Sequence, residues 1–411
     1  MNGWWGSLAS PKTTEGLFAK WQHDHNERFI TTGLPHKKQA AWRYLPFQQM
    51  AAIQYADKPK KSTFHACPLS LEHAIVIQIQ GETFQVLHDV IDGLEILSLK
   101  EAFTLYPSNC EHLVTASTNT EDGFLNLNAA NLHAGLWIRV KEGYQLTAPI
   151  IIHHQAQAGV ISHFRHFCVL EKNSSAQVVE YFDSLDDQAA FINHASVYHL
   201  KDHAKLDHYR LQCLASTDNL QSSVLVLQET HSAYYDFLLQ IGAKITSCDL
   251  TVRLNAINAT AFVAGVFQGK NQQFQQQRVH IVHEKEHGQS EQLYRGVLDD
   301  NSKGVFIGEV YVAPHAIKTQ AHQSNKNLLL GPMAEMTSCP QLQIFADDVV
   351  CSHGATVGQL EEDAIFYLQT RGINQAEAKT FLTEAFYHEP LISIPHEALR
   401  AWCIARLADR R

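Results

Sequence analysis

From about residue 70 to residue 358 the chain reads as one short strand after another, and this limits the fold more than any other feature. Ile75, Ile77 and Ile79 share one face, with Val76 and Gln78 on the other. Leu250, Val252 and Leu254 alternate with Thr251 and Arg253. A period of two marks a strand, whose side chains point alternately to opposite faces. Residues 177–182 are rich in β-branched and aromatic types, and further strands are expected at 262–266 and 305–311, with Gly, Asn and Asp between them. Helix signals are almost absent over most of this stretch. So many strands must manage their edges as a sandwich, barrel, propeller or solenoid. No blade-length repeat is visible, so the pattern alone favours an irregular β-solenoid, each coil packing on its neighbours.

Helices are expected at both ends, giving an N-terminal region over 1–69, a β-core with accessory strands over 70–358 and a helical domain over 359–411. Leu17, Phe18 and Trp21 form a short helical stripe that Gly33-Leu34-Pro35 ends. Thr356-Val357-Gly358-Gln359 resembles a capping box before Leu360, Ala364, Ile365 and Leu368, which share one helix face, and Gly372 stops that helix. Asn374 with Glu377 can cap a second helix, where Ala378, Phe381, Leu382, Ala385 and Phe386 make an amphipathic stripe. Pro395 and Glu397 open a third, carrying Leu399, Trp402, Cys403 and Leu407. Such a bundle either caps the solenoid or docks a partner.

Composition removes several classes. A net charge of -10 argues against nucleic acid, which needs a basic face. No stretch approaches the roughly 20 apolar residues of a membrane span. Residues 1–10 lack a basic segment followed by an apolar run, so a soluble, cytoplasmic protein is expected. The eight cysteines are scattered without a CxxC pair, which disfavours a disulfide framework, a preformed zinc site or a cluster held stably by this chain alone. No GxxxxGK[ST] loop is present, so the chain itself should not hydrolyse ATP. The 25 histidines invite a metal reading, although polar strand faces and surfaces are their ordinary place.

One segment is more specific. It runs from Asn325-Lys326-Asn327-Leu328-Leu329-Leu330 to Pro340-Gln341-Leu342-Gln343-Ile344-Phe345-Ala346-Asp347-Asp348, and closes on Val349-Val350-Cys351-Ser352-His353-Gly354-Ala355-Thr356-Val357-Gly358. Weaker agreement lies upstream in Leu127-Asn128-Ala129, Gly135-Leu136-Trp137-Ile138, Arg165-His166 before Leu170-Glu171, and Ser290 to Gly296 with Tyr294. Gly33-Leu34-Pro35 and Trp42-Arg43-Tyr44 add to it. Together these resemble the SufB/SufD family of iron–sulfur cluster assembly proteins, over nearly the whole chain and most strongly in its last quarter. The form from Cys351 to Gly358 is similar to that of the SufD branch. Cys339 before Pro340, His322, and Glu286 where a proline is usual near His283 and His287 depart from the family pattern.

The resemblance implies a right-handed parallel β-helix between helical ends. It implies a scaffold subunit, non-catalytic alone, working with a SufB-like paralogue through the β-helix and a SufC-like ATPase through the C-terminal helices. On that reading Leu360, Ala364, Phe381, Leu382 and Phe386 receive the ATPase. A nascent cluster or iron passes transiently through the complex, with His353 and Cys351 as candidate interface ligands, and the complex leaves room for a flavin.

The residues permit an independent reading of the signature. Val349, Cys351 and His353 share a strand face, so a thiol and an imidazole two residues apart can approach one ion. Both suit iron, but two ligands cannot close a four-coordinate site, and a partner must complete it. Spacing alone favours a packed thiol beside a hydrogen-bonded imidazole. Asp347-Asp348 supports the competing reading, a β-helical carbohydrate-active enzyme. Adjacent carboxylates on a strand diverge, however, and a turn explains them better.

Overall fold

A computed structural model describes residues 16–39, 42–51, 53, 55, 63–87, 91–118, 121–184 and 189–409. Residues 1–10, read above for a leader, lie outside them. The chain enters through α1 (Leu17–Thr32) and α2 (Phe47–Ala51). Gly33 ends α1 with φ 67°, a left-handed conformation that costs glycine little. A hairpin of β1 (Ile75–Gln80) and β2 (Thr83–Val86) follows, then β3 (Leu94–Ser98).

Three helices come next, where the sequence reading had accessory strands: α3 (Leu99–Leu105), α4 (Pro107–Ser117) and α5 (Gly123–Ala130). They are short, and their starts are locally encoded. A capping box of Ser98 and Glu101 opens α3, Pro107 occupies the first turn of α4, and the Asp122 carboxylate accepts from the amides of Phe124 and Leu125 in α5.

From β4 (Ala134–Val140) the solenoid is regular. It continues through β5 (Ile150–Ala156), β6 (Ile161–Leu170), β7 (Ser175–Ser184), β8 (Phe191–Leu200), β9 (Lys205–Gln212), β10 (Asn219–Gln228) and β11 (Ala233–Ile241). Next come β12 (Ile245–Leu254), β13 (Thr260–Gly269), β14 (Phe274–His283), β15 (Gln289–Leu298), β16 (Lys303–Val312), β17 (Gln320–Leu329), β18 (Glu335–Ile344) and β19 (Val350–Gly358). Even-numbered strands form one sheet with β3 at its edge; odd-numbered strands form the other with β1 and β2. Pairing within the solenoid is parallel, as in β10 with β8 and β12, and about eight coils result.

A ladder of left-handed corners sets the pitch. Asn173, His203, His231, Asn258, His287 and Lys318 all have positive φ, and each donates its amide to a carbonyl one coil on. They recur roughly every 30 residues, within the range of solenoid repeats. Asn and His are enriched among residues that tolerate this conformation. Part of the histidine abundance is therefore a backbone requirement, and the rings of His203 and His231 stack at 4.9 Å.

Apolar residues fill the lumen and both outer faces. Inside lie Ile77, Ile152, Val178, Leu250 and Val252. Outside the even-strand sheet, Trp21, Phe103 and Leu113 cover Trp137, Phe167 and Val169. The last helices are α6 (Glu362–Thr370), α7 (Gln375–Ile392) and α8 (Glu397–Asp409). Tyr387, Leu391, Leu399 and Cys403 from α7 and α8 pack on Tyr209, Phe237 and Leu239 of the odd-strand sheet. Arg295 pairs with Glu389, fixing α7 to β15. The helical tail thus lies along the solenoid's flank.

Two helix expectations need correction. Thr356, Val357 and Gly358 belong to β19, and α6 starts after Glu361 without a side-chain cap. The stripe on α7 is also rotated. Its buried line is Ala378, Thr383, Tyr387, Pro390 and Leu391, while Ala385 is exposed and Phe381 is 57 % exposed. The sheet, not the helix's own apolar moment, decides which face is covered. The Asn374–Glu377 capping box forms as read.

Candidate functional site

Every residue of β6 and β8 is buried, whereas in β19 only Cys351 escapes full exposure. The solenoid is therefore closed by neighbouring coils along most of its length and open at its last coil. β18 and β19 each end a sheet, so each offers an unpaired strand edge at this mouth.

Register places the signature residues. Cys351 stands beside Ala321 and His353 beside Gln323, in a column facing the lumen. Cys351 packs half-buried with Val349, Leu342 and Ala346. Burial raises its thiol pKa above the ordinary value, against a lowering contribution from the Ala321 backbone. The resting group is a thiol, and a metal must displace its proton to bind sulfur. His353 is exposed at the rim.

Beneath it Gln323 spans the lumen. A Cβ on Gly308 of the opposite sheet would lie 1.5 Å from Gln323 Nε2, so any larger residue there would displace the Gln323 amide. Gln323 also donates to Gln292 at 3.0 Å. One step deeper, Ser338 donates to Asn325 Oδ1 at 2.7 Å, and Asn327 donates to Asn325 Oδ1 at 2.7 Å. The mouth is a hydrogen-bonding throat with one thiol and one imidazole at its rim.

The remaining sequence candidates separate. Leu360, Ala364, Leu382 and Phe386 line a cleft of about 350 Å³ between the end of β19 and helices α6 and α7. Phe381 stands outside it, beside no buried cluster. Asp347 and Asp348 are exposed at a corner, where the Asp348 carbonyl accepts from the Lys318 amide at 2.6 Å and its carboxylate pairs with Lys318 Nζ at 2.5 Å. His287 is a corner residue, and His283 Nε2 lies 2.8 Å from Ser290 Oγ. Cys339 faces outward, its sulfur 4.0 Å from Tyr44 Oη.

The sequence reading did not find a polar cluster deep in the lumen of the first coils. His154, His166, Glu180, His194, Tyr198, His208, Arg210 and Asp236 are buried there together. Arg210 forks onto Asp236 at 2.8 and 2.7 Å, and Tyr198 donates to Glu180 at 2.6 Å. Burial lowers the pKa of His154, His166 and His194, reaching about 3 for His166. Burial alone would raise Glu180, but the facing His194, His208 and His154 outweigh it and hold the carboxyl well below its ordinary value. The available signal was the corner ladder, because a known coil length would have brought these residues to one level.

Resemblance to known proteins agrees with this architecture. Residues 152–386 match the family model described as SUF system FeS cluster assembly, SufBD core domain. The chain is 30% identical to the iron–sulfur cluster assembly protein SufD of Escherichia coli (strain K12) over 397 residues, 94% of this chain and 91% of that protein. It is 26% identical to an iron–sulfur cluster assembly SufBD family protein of Synechocystis, over 89% of this chain and 85% of that protein. With SufD of Bacillus subtilis it shares 24% identity over 67% of this chain and 63% of that protein.

Fold and matches place the molecule among the iron–sulfur cluster assembly proteins of the SUF system. The chain belongs to the SufBD family, as a SufD-type protein. The carbohydrate-enzyme alternative finds no support in any of these relatives.

Proposed function

We propose that the protein is the non-catalytic scaffold of a SUF complex in the cytoplasm, joined to a SufB-like paralogue at the open mouth and to a SufC-like ATPase through its C-terminal helices. The observation that carries this reading is the pair of exposed strand edges at β18 and β19, with Cys351 and His353 facing the lumen beside them. Exposed edges are templates for strand addition, and a second solenoid would extend both sheets at once. The partner then supplies the ligands that one thiol and one imidazole lack, and iron or a nascent cluster is cargo passed at the junction, with any flavin belonging to the complex. No described helix is long and apolar enough to cross a membrane, and all eight cysteines are free, in keeping with a reducing compartment.

The edge geometry supplies a clean test. The Val350 amide donates to Thr319 O of the preceding coil. Residues alternate in a parallel strand, so the amides of Cys351, His353 and Ala355 point to the open edge. Ala355→Pro removes one outward donor and leaves the β17 ladder intact. Co-purification with the paralogue should fall at least tenfold while circular dichroism is unchanged. Undiminished co-purification means the partner sits elsewhere.

For the ATPase, exposed Phe381 offers a probe that avoids the core. Phe381→Ala should weaken ATPase binding with a stability change within about 0.5 kcal/mol, as for other surface sites. Binding at the wild-type level removes α7 from the interface.

A further inference from the structure

The lumen of the first coils holds a set of buried polar atoms that no hydrogen bond satisfies. Nδ1 and Nε2 of His154, Nε2 of His166, Nε2 of His194, Nε2 of His208 and Oε2 of Glu180 are all buried without a hydrogen-bond partner. Buried polar groups of this kind ordinarily find one. They also converge: one nitrogen from each of His154, His166 and His194 lies within 4.8 Å of the others. Glu180 Oε2 is 3.4 Å from His194 Nε2. His154 is held flat on Phe182 at 4.3 Å, and His194 Nδ1 meets Ser222 Oγ at 3.0 Å. If Nδ1 donates to that hydroxyl, Nε2 keeps its lone pair for an ion, as in a ligating histidine whose other ring nitrogen is held by a hydrogen bond. His166 Nδ1 has only a long contact, 3.3 Å, with the Leu136 amide.

Charge points the same way. Arg210 is committed to Asp236, so the Glu180 carboxylate faces imidazoles instead of the guanidinium, with His194 Nε2 at 3.4 Å and His208 Nε2 at 3.6 Å. A buried carboxylate is ordinarily paired or bound to a metal. Three imidazoles and one carboxylate, with no thiolate among them, suit a divalent ion from iron to zinc. Metal–nitrogen bonds of about 2.1 Å set ligand nitrogens about 3.4 Å apart, so separations of up to 4.8 Å must close by as much as about 1.4 Å.

We propose that His154, His166 and His194, with Glu180 as fourth ligand, form a site for a divalent first-row transition ion sealed inside the solenoid. The site is separate from the mouth and does not rest on the partner-docking reading. Because its ligands come from four strands of successive coils, the ion enters as the chain folds and holds those coils in register.

The test uses the untagged full chain, refolded with equimolar Co(II), Fe(II) or Zn(II) and passed through gel filtration before metal analysis. About one ion per chain is expected. The Co(II) form should show the strong visible bands of four-coordinate cobalt without sulfur-to-cobalt charge transfer in the near ultraviolet. His154→Phe, which preserves packing on Phe182, should retain under a tenth of the wild-type metal, and the exposed His315→Ala should retain all of it. Glu180→Gln keeps the hydrogen bond to Tyr198 and should lower affinity at least tenfold, which keeps the test open if His154→Phe does not fold. Less than a tenth of an ion in the wild type, thiolate charge transfer, undiminished metal in His154→Phe, unchanged affinity in Glu180→Gln or loss of metal in His315→Ala each overturns the assignment.

Discussion

The first coils and the last coil share one backbone plan and differ in what surrounds their inward side chains. Around β5 to β11 the lumen is sealed by coils on both sides and by helices on both outer faces, and it holds histidines, Glu180, Arg210 and Asp236 away from water. Around β17 to β19 the inward column is Gln323, Asn325 and Asn327 below Cys351 and His353, with solvent in place of the next coil. In the first region a polar group must find its partner inside the fold or destabilise it. In the last it can wait for a partner from outside. One repeat architecture therefore yields a stability-determining charge cluster at one end and an interaction surface at the other.

The largest effect that would sharpen this contrast comes from its ion pairs. Asp236→Asn leaves the Arg210 guanidinium buried without its counterion, and breaking a buried pair from one side costs about 3–5 kcal/mol. Asp348→Asn removes the exposed partner of Lys318 at the mouth, where about 1 kcal/mol or less is expected. Chemical denaturation of both variants checks the ratio. Equal losses would mean that the two ends are not differently shielded.

Acid is the next lever, and its sign follows from burial. His25, His154, His163, His166, His194 and His283 all have lowered pKa values, with burial as the largest cause. Below the ordinary value of 6.5 the unfolded chain binds protons that these folded sites refuse. Stability is therefore complete above that pH and falls as pH drops, by up to about 1.4 kcal/mol per pH unit for each group, until the folded value is reached, about 3 for His166. Around the lumen histidines the charged or titratable groups that act on them are Glu180, His208, Arg210, Arg165 and His153. Denaturation midpoints at neutral pH and at about pH 5 should differ in the wild type, and His166→Gln should flatten the slope. A slope unchanged by His166→Gln, but flattened by changes at the mouth, would reverse the comparison.

The same contrast explains what could be read in the sequence. The strands at Ile75–Gln80 and Ile245–Leu254 were legible because one side of each faces apolar lumen and the other is less covered; Arg253 is exposed between buried Val252 and Leu254. The signature around Cys351 and His353 was legible because it is continuous in sequence. Histidines from β5, β6 and β8 are brought together only by coil length, which varies and was not recovered from the pattern. β6 illustrates the difficulty. Ser162, His163, Phe164, Arg165, His166 and Phe167 show no polar face because both faces are buried: His166 looks into the lumen, while Arg165 turns outward to Asn128 Oδ1 at 2.8 Å. Helices α3 to α5 were missed because their signals are caps spread over a few residues, with no long stripe.

The smallest expected change in stability is at His353, and it should carry the largest change in function. No coil covers this ring, so His353→Ala should move the denaturation midpoint by no more than about 0.5 kcal/mol, as for other surface positions. A neutral imidazole offers iron a nitrogen lone pair and a methyl group does not, so cluster formation by the reconstituted complex should be lost. Cys351→Ser tests the neighbour. Its sulfur packs with Val349 and Leu342, so part of any loss there reflects packing. The edge hydrogen bonds proposed for the paralogue are made by backbone, which His353→Ala leaves in place, so co-purification should persist. Loss of clusters with partners retained assigns His353 to the chemistry at the junction. Wild-type cluster formation by His353→Ala would make the rim a docking surface alone. If His353→Gln, which restores a polar side chain without the imidazole, recovers cluster formation, the rim needs a hydrogen bond and not a ligand.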